Sequence, residues 1–277
     1  MTCLMCSGVA ELEAGMAGKD RGESDPLTET YVQSDQPEGV PPLELTGERT
    51  LPNVPEENYW FRRHLVVYEW IARRTAGLNR VVDLACGEGY GCDVLARSAR
   101  TVVGVDANPE AFDHARARYG SARISFQRQL VEEFDEPCDA IVFLQTIEHI
   151  GEPGELVAGF SRLAPVSYVS TPNLLTLAPP GAEKSDNPWH LREYRIEEFR
   201  ELLEPHFSRV DVWGLFHARK LKLHQRAIGL GWDRLHSSLS ITRPFYDRFT
   251  PAIQTSDFRL GREDLEEALD FVAVCHA

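Results

Sequence analysis

Three glycines at alternate positions, Gly87, Gly89 and Gly91, follow an apolar run and open a helical pattern in the stretch Val82-Asp-Leu-Ala-Cys-Gly-Glu-Gly-Tyr-Gly91. A turn without Cβ atoms lets backbone N–H groups approach a ligand closely, at the positive end of a helix. Dinucleotide-binding turns space their glycines G-x-G-x-x-G, which seats a pyrophosphate. Here the spacing is G-x-G-x-G, and an acid, Asp83, stands inside the preceding run. That combination suits a ligand with a cationic amine and no phosphate, with Asp83 ordering donors or water near the amino group. Asp106 ends the next apolar run, 23 residues after Asp83, where a carboxylate accepts hydrogen bonds from both hydroxyls of a ribose. Each feature has a plainer use alone: a tight strand–helix connection for the glycines, a helix cap ahead of Pro109 for Asp106. In register, they predict a bound nucleoside.

The elements that would position these groups alternate along the chain. Short apolar runs at Arg80–Ala85, Thr101–Val105, Ile124–Gln127, Ala140–Leu144, Val166–Ser170, Arg209–Trp213 and Phe271–Cys275 read as seven strands. Helical spacing separates them over Tyr90–Ser98, Pro109–Tyr119, Glu155–Leu163 and Glu197–Glu204. Near-continuous apolar strands between helices predict an α/β fold, a Rossmann-like, mostly parallel seven-stranded sheet covered on both faces. An amphipathic helix from Pro55 onward is expected to pack beside that sheet. Residues 1–45 are acidic and carry four prolines and one aromatic, which predicts a disordered tail. The remaining chain, 46–277, reads as one domain, with irregular stretches 171–194 and 215–262 as substrate or lid insertions.

The segments VVDLACGEGYG, VVGVDANPEA, CDAIVFLQTIEHI and VSTPN resemble the class I S-adenosylmethionine (SAM)-dependent methyltransferases. The resemblance implies that Gly87, Gly89 and Gly91 wrap the methionine part of SAM and that Asp106 holds the ribose. Gln129 and Leu130 would flank the adenine, in place of the family's usual Asp or Asn, and Gln145 would lie by the sulfonium. The segments TGERTLPNVPEENYWFRRH, NPWHLREY and GLFHARKL are similar to a narrower group, actinobacterial sugar O-methyltransferases associated with methylglucose lipopolysaccharide synthesis. Tyr59 and Trp60 are expected to cover the sulfonium through cation–π contact, although helix core is an equal use for Trp60.

Methyl transfer from a sulfonium is an in-line displacement, so the protein must align the acceptor and remove a proton. Histidine suits that task near neutral pH. His149 follows the fourth strand, His190 lies in the loop after the fifth, and His64 sits on the N-terminal helix. Glu148, Asn187, Trp189, Glu193 and Tyr194 are candidate acceptor contacts, with Phe216 and Trp232 as further stacking surfaces. No spacing demands a metal; Glu148, Asp186, His190 and Glu193 would be an oxygen-rich set for Mg²⁺. The expected acceptor is a saccharide or glycosylated metabolite. A phenol, quinone, antibiotic precursor or amine is the alternative, and a binding module without chemistry a further one.

Charge narrows the partners. The chain holds 29 basic and 43 acidic residues, net −14, and three basic against ten acidic residues in the first 50 supply half of that. An acidic surface repels phosphate backbones and anionic membranes, so neither nucleic acid nor membrane is expected. No run of about 18 apolar residues predicts a membrane helix. With no leader pattern the expected location is cytoplasmic and the cysteines reduced. Cys3-Leu-Met-Cys6 has zinc-knuckle spacing but lacks a second pair. A monomer or homodimer is expected.

Overall fold

The computed structural model describes residues 29–31, 33, 36, 38–45, 49–55, 57–179, 181–229 and 243–277. Cys3, Cys6 and Trp232 lie outside the described residues. A hairpin of β1 (Glu29–Tyr31) and β2 (Leu43–Leu45) precedes helix α1 (Asn58–Arg74). The alternation then begins: β3 (Arg80–Leu84), α2 (Tyr90–Ala96), β4 (Thr101–Val105), α3 (Pro109–Tyr119) and β5 (Ile124–Gln127). It continues with β6 (Ala140–Leu144), α4 (Pro153–Leu163), β7 (Val166–Pro172), α5 (Leu174–Leu177) and α6 (Ile196–Leu203). The chain closes with β8 (Arg209–His217), α7 (Arg219–Gly229), α8 (Arg243–Phe249), β9 (Phe258–Gly261) and β10 (Asp270–His276).

The large sheet has the order β5-β4-β3-β6-β7-β10-β8-β9. Strands β5, β4, β3, β6 and β7 are parallel, while β10 runs antiparallel to both β7 and β8. Successive side chains of each strand serve opposite faces, as a period of two requires. Val81, Val102, Val142 and Val272 enter the core beneath α1 and α2. Val82, Val103, Ile141 and Phe271 enter the core beneath α4 and α6. The doubly covered sheet is why these strands read as continuous apolar runs.

The sheet holds eight strands rather than the seven expected. The addition is β9, which lies inside the stretch 215–262, expected as a substrate or lid insertion, and pairs antiparallel with β8. Its sequence, Phe-Arg-Leu-Gly, is too short a run for its alternation to stand out; the edge of a neighbouring strand makes it a strand. The other insertion, 171–194, also begins as sheet, because β7 runs on to Pro172. The expected tail of 1–45 is partly docked: β1 pairs with β2, Gln33 is 2% exposed and Leu43 1%. Composition misses this because those residues bury against the domain, not against one another. Leu43, Leu51 and Val54 form a small core of their own.

Strand order reverses between β3 and β6, since the chain winds outward through β4 and β5 and then returns to the other side. A reversal of this kind leaves a crevice beyond the carboxyl ends of the strands. Helix α1 closes one side of it through a buried ion pair. Arg63 Nε donates to Asp270 Oδ2 at 2.7 Å and its Nη2 donates to the Leu269 carbonyl at 2.9 Å. Both side chains are no more than 3% exposed. Asn58, at the start of α1, donates to the carbonyls of Thr250 (2.8 Å) and Ile253 (3.0 Å).

Removing one partner of a buried pair strands the other charge, at about 3–5 kcal/mol. Asp270→Ala should therefore lower the midpoint of thermal unfolding, followed by circular dichroism, by about 6 °C or more. The double variant Arg63→Met with Asp270→Leu should regain most of that loss. A single variant within 2 °C of the parent, on the order of half a kcal/mol, would show that the pair holds little.

Candidate active site

The crevice is built from backbone held in unusual conformations. Ala85 leaves β3 at φ 57°, Gly87 and Gly89 follow at 54° and 95°, and Gln145 leaves β6 at 51°. Left-handed backbone costs a non-glycine residue about 1–2 kcal/mol, and such strain gathers where a site must be shaped. Gln145 is held by Ser170, whose hydroxyl accepts from its side-chain Nε2 at 3.0 Å and whose carbonyl accepts from its N–H at 3.1 Å.

The glycine loop and Asp106 converge. Asp106 Oδ2 accepts the Gly87 N–H at 2.8 Å, and Oδ1 accepts the Asn108 N–H at 2.9 Å. A carboxylate has about four acceptor positions, so two remain for a ribose. A Cβ placed on Gly87 would meet nothing within 4 Å, so the loop faces open space there. The remaining glycines differ. A Cβ on Gly89 would lie 2.8 Å from Ala115 Cβ, and one on Gly91 would lie 2.3 Å from the Tyr68 ring. Gly91 therefore sits inside α2, where the absent Cβ makes room for the Tyr68 ring of α1.

Asp83 is also placed differently from expectation. It is fully buried, accepting from Tyr68 Oη at 3.2 Å and facing Cys92 Sγ at 3.5 Å. Burial pushes its pKa up to about 7, against the opposing bonds from Cys92 and Tyr68, with Asp106 adding to the rise. It joins β3 to Tyr68 of α1 and Cys92 of α2. Beyond β5, Gln129 is half-buried and Leu130 is 52% exposed at the start of a short 3-10 turn, Val131–Glu133. Sequence reasoning missed Gln127 beside them, the last residue of β5. Its Nε2 donates to Glu136 at 3.0 Å, while its Oε1 is buried without a hydrogen-bond partner.

Tyr59 is not placed as the expected cover. Tyr59 is 5% exposed in the core, and its hydroxyl bonds His217 Nε2 at 2.8 Å. Trp60 stacks its face against the Arg63 guanidinium, 4.9 Å from the ring centroid, and takes Tyr59 edge-on. One face of the half-buried indole is thus packed against its own helix. His64 faces Thr50 Oγ1 at 3.5 Å, and burial pushes its pKa down to about 4, which makes it a weak base.

On the other side of the crevice His149 and His190 meet, their ring centroids 5.0 Å apart and nearly perpendicular. His149 ends a 3-10 turn (Ile147–His149) directly after β6, and His190 arrives on the loop after β7. A carbonyl can only accept, so the 3.0 Å contact of His149 Nδ1 with the Trp189 carbonyl places the proton on Nδ1. The neutral ring then carries its basic lone pair on Nε2. His190 is pinned at both nitrogens: Nδ1 donates to Glu193 Oε1 at 2.7 Å, and Nε2 accepts from Asn187 Nδ2 at 3.0 Å. The Asn187 amide is oriented in turn, because its Oδ1 accepts the Trp189 N–H at 2.9 Å. Glu193 also takes both donors of Ser185. Burial works against its charge, but bonds from His190 and Ser185 hold its carboxyl below the usual range.

Glu148 lies beneath the two histidines at 1% exposure, accepting from Thr171 Oγ1 at 3.1 Å, while its backbone carbonyl accepts from Leu191 and Arg192. Side-chain donors of Glu148, His149 and His190 all fall within 4.8 Å of one another. Two imidazoles and one carboxylate suit a transition metal better than Mg²⁺. The four-residue Mg²⁺ set is not assembled: Asp186 is exposed outside the cluster, and Glu193 sits on the far ring nitrogen of His190. Of the stacking candidates, Trp189 stays at the surface at 46% exposure, whereas Tyr194 (0%) and Phe216 (8%) are core.

Burial raises the pKa of Glu148 to about 8, with Asp270 and Glu193 contributing to the rise and Thr171 opposing it. An unfolded glutamate titrates near 4.3, so the folded state keeps this proton after the unfolded state has lost it. The stabilisation is full below about pH 4 and is lost as pH rises toward 8. Glu148→Gln, which keeps an acceptor for Thr171, should unfold at a higher temperature than the parent at pH 8 and at a similar one at pH 4.5. A gap that stays constant across that range would contradict the buried neutral acid.

Comparison with known proteins agrees with this geometry. A family described as "Methyltransferase domain" matches residues 81–166, which span the glycine loop, Asp106 and the His149 turn. A "probable S-adenosylmethionine-dependent methyltransferase" of Mycolicibacterium smegmatis is 39% identical over 246 residues, covering 84% of this chain and 94% of the relative. A "ubiquinone biosynthesis O-methyltransferase" of Alkalilimnicola ehrlichii is 27% identical, covering 70% of this chain and 81% of its own. Among solved structures, a SAM-dependent methyltransferase of Thermotoga maritima shares the fold with TM-score 0.53 at 15% identity, covering 80% of this chain and 94% of that one. The chain belongs to the S-adenosylmethionine-dependent methyltransferases.

Proposed function

We propose that the protein transfers the methyl group of SAM to a hydroxyl of a saccharide or glycosylated metabolite, with His149 as general base. The observation that carries this reading is the hydrogen bond from His149 Nδ1 to the Trp189 carbonyl, which leaves Nε2 as the basic atom. His190, engaged at both nitrogens by Glu193 and Asn187, serves to position His149 and Trp189. In the reaction the acceptor oxygen attacks the methyl carbon, forming the C–O bond as the S–CH₃ bond breaks. The electron pair stays on sulfur, giving S-adenosylhomocysteine, and the hydroxyl proton passes to His149 Nε2.

Gly87, Gly89 and Asp106 would hold the cofactor, with Gln129, Leu130 and Gln127 along the adenine and Gln145 near the sulfonium. The polar acceptor side, with Glu148, Asn187 and the half-exposed indole of Trp189, supports a hydroxylated ring that stacks on an aromatic face. A second reading, a quinone or phenol acceptor, is supported by the apolar rim of Trp189 and Leu191, the latter 64% exposed.

His149→Ala should lower kcat by about 10²–10⁴, the span of general-base contributions, while SAM affinity by calorimetry stays within about twofold. Purified protein with labelled SAM should place label on oligosaccharides in a panel that also holds quinones, phenols and amines. Label confined to a quinone or phenol would move the assignment to the second reading. Unchanged turnover in His149→Ala would remove the histidine base.

A further inference from the structure

Glu88 stands between the two left-handed glycines of the cofactor loop, yet it is only 1% exposed. Its carboxylate is turned toward α3 and the N-terminal segment. Oε1 accepts from Gln33 Nε2 at 3.0 Å, Tyr119 Oη at 2.9 Å and His114 Nε2 at 3.1 Å. Oε2 accepts the Tyr90 N–H at 3.1 Å and the same Tyr119 hydroxyl at 2.9 Å, and Arg118 Nε lies 3.5 Å from Oε1. The N-terminal segment is fastened twice more. His114 Nδ1 meets the Pro41 carbonyl at 2.5 Å, and Arg118 bonds the side-chain oxygen of Gln33. One buried carboxylate thereby joins three parts that are distant in sequence: the glycine loop, α3 and the segment around Gln33.

We propose that Glu88 is a positioning residue for SAM binding, and that the segment around Gln33, Pro41 and Leu43 is a working part of the cofactor site. The loop binds through backbone atoms, so its affinity depends on how rigidly that backbone is held before the ligand arrives. Gly87 and Gly89 are the residues least able to hold themselves. Glu88 is the only side chain between them, and its anchors lie in α3 and the N-terminal segment. If docking of that segment stiffens the loop for SAM, then SAM must favour the docked segment by the same coupling free energy. The inference is independent of the acceptor and of the histidine base.

The test uses the full chain, with SAM or S-adenosylhomocysteine alone as the probe. Gln33→Ala should weaken SAM binding about 3- to 10-fold, the size expected of a single hydrogen bond. In turnover it should raise KM for SAM and leave kcat and KM for the acceptor unchanged. Hydrogen exchange of amides in residues 29–45 should slow when S-adenosylhomocysteine binds the parent protein. In Glu88→Gln that slowing should shrink; this variant keeps one acceptor and is expected to bind more tightly than Glu88→Ala. Unchanged SAM affinity in Gln33→Ala would overturn the proposal. So would the absence of ligand-dependent protection in the parent, a measurement that requires no variant to fold.

Discussion

A single hydrogen bond, from the Gly87 N–H to Asp106 Oδ2 at 2.8 Å, holds together the place where the rest of the molecule converges. It links the end of β3 to the end of β4, so the glycine loop and the acid face the same opening. The bond exists because parallel strands with helical crossovers must end on the same edge of the sheet. The reversal of strand order beside β3 then leaves room above that edge. Two non-glycine residues, Ala85 and Gln145, accept left-handed backbone on the two strands that flank the opening. The surrounding core, buried on both faces of the sheet, over-determines these turns and holds their strain.

Around this crevice the protein uses buried polar groups as struts. Asp83 joins β3 to α1 and α2, Arg63 and Asp270 clamp α1 to the sheet, and Glu88 ties the loop to the N-terminal segment. Each group is satisfied by several partners, as a group removed from water must be. The acceptor side follows the same logic in a chain of contacts. Glu193 orients His190, Asn187 joins His190 to the Trp189 N–H, and the Trp189 carbonyl sets the proton on His149. The solvent-facing indole and the carbonyl that accepts from His149 belong to one residue.

The histidines show where reading by residue type stops. All three are candidates in sequence, His149 and His190 on a par and His64 behind them, because an imidazole can act as a base wherever a loop or helix brings it near a crevice. Their environments separate them: His64 is depressed to a pKa of about 4 by burial, and His190 has both nitrogens engaged. His149 has its Nδ1 committed to a carbonyl. None of these distinctions has a local signature, since the partners come from other elements. Tyr59 and Tyr194 failed as ligand contacts for the converse reason, that aromatic rings suit a core as well as a pocket.

The sequence by itself determined the alternating architecture, the glycine loop and the placement of Asp106, because strand and helix periodicity and glycine spacing are local properties. The apolar runs of β3, β4, β6 and β7 were legible for the same reason: burial on both faces leaves a continuous pattern. Tertiary structure alone decided what depends on long-range contact. It made β9 a strand through the edge of β8 and docked Gln33 and Leu43 from a segment whose composition reads as disordered. It seated the Tyr68 ring where Gly91 has no Cβ. It also set the protonation of buried acids such as Glu148, whose pKa follows from exclusion of water and from Asp270, 122 residues away in the chain.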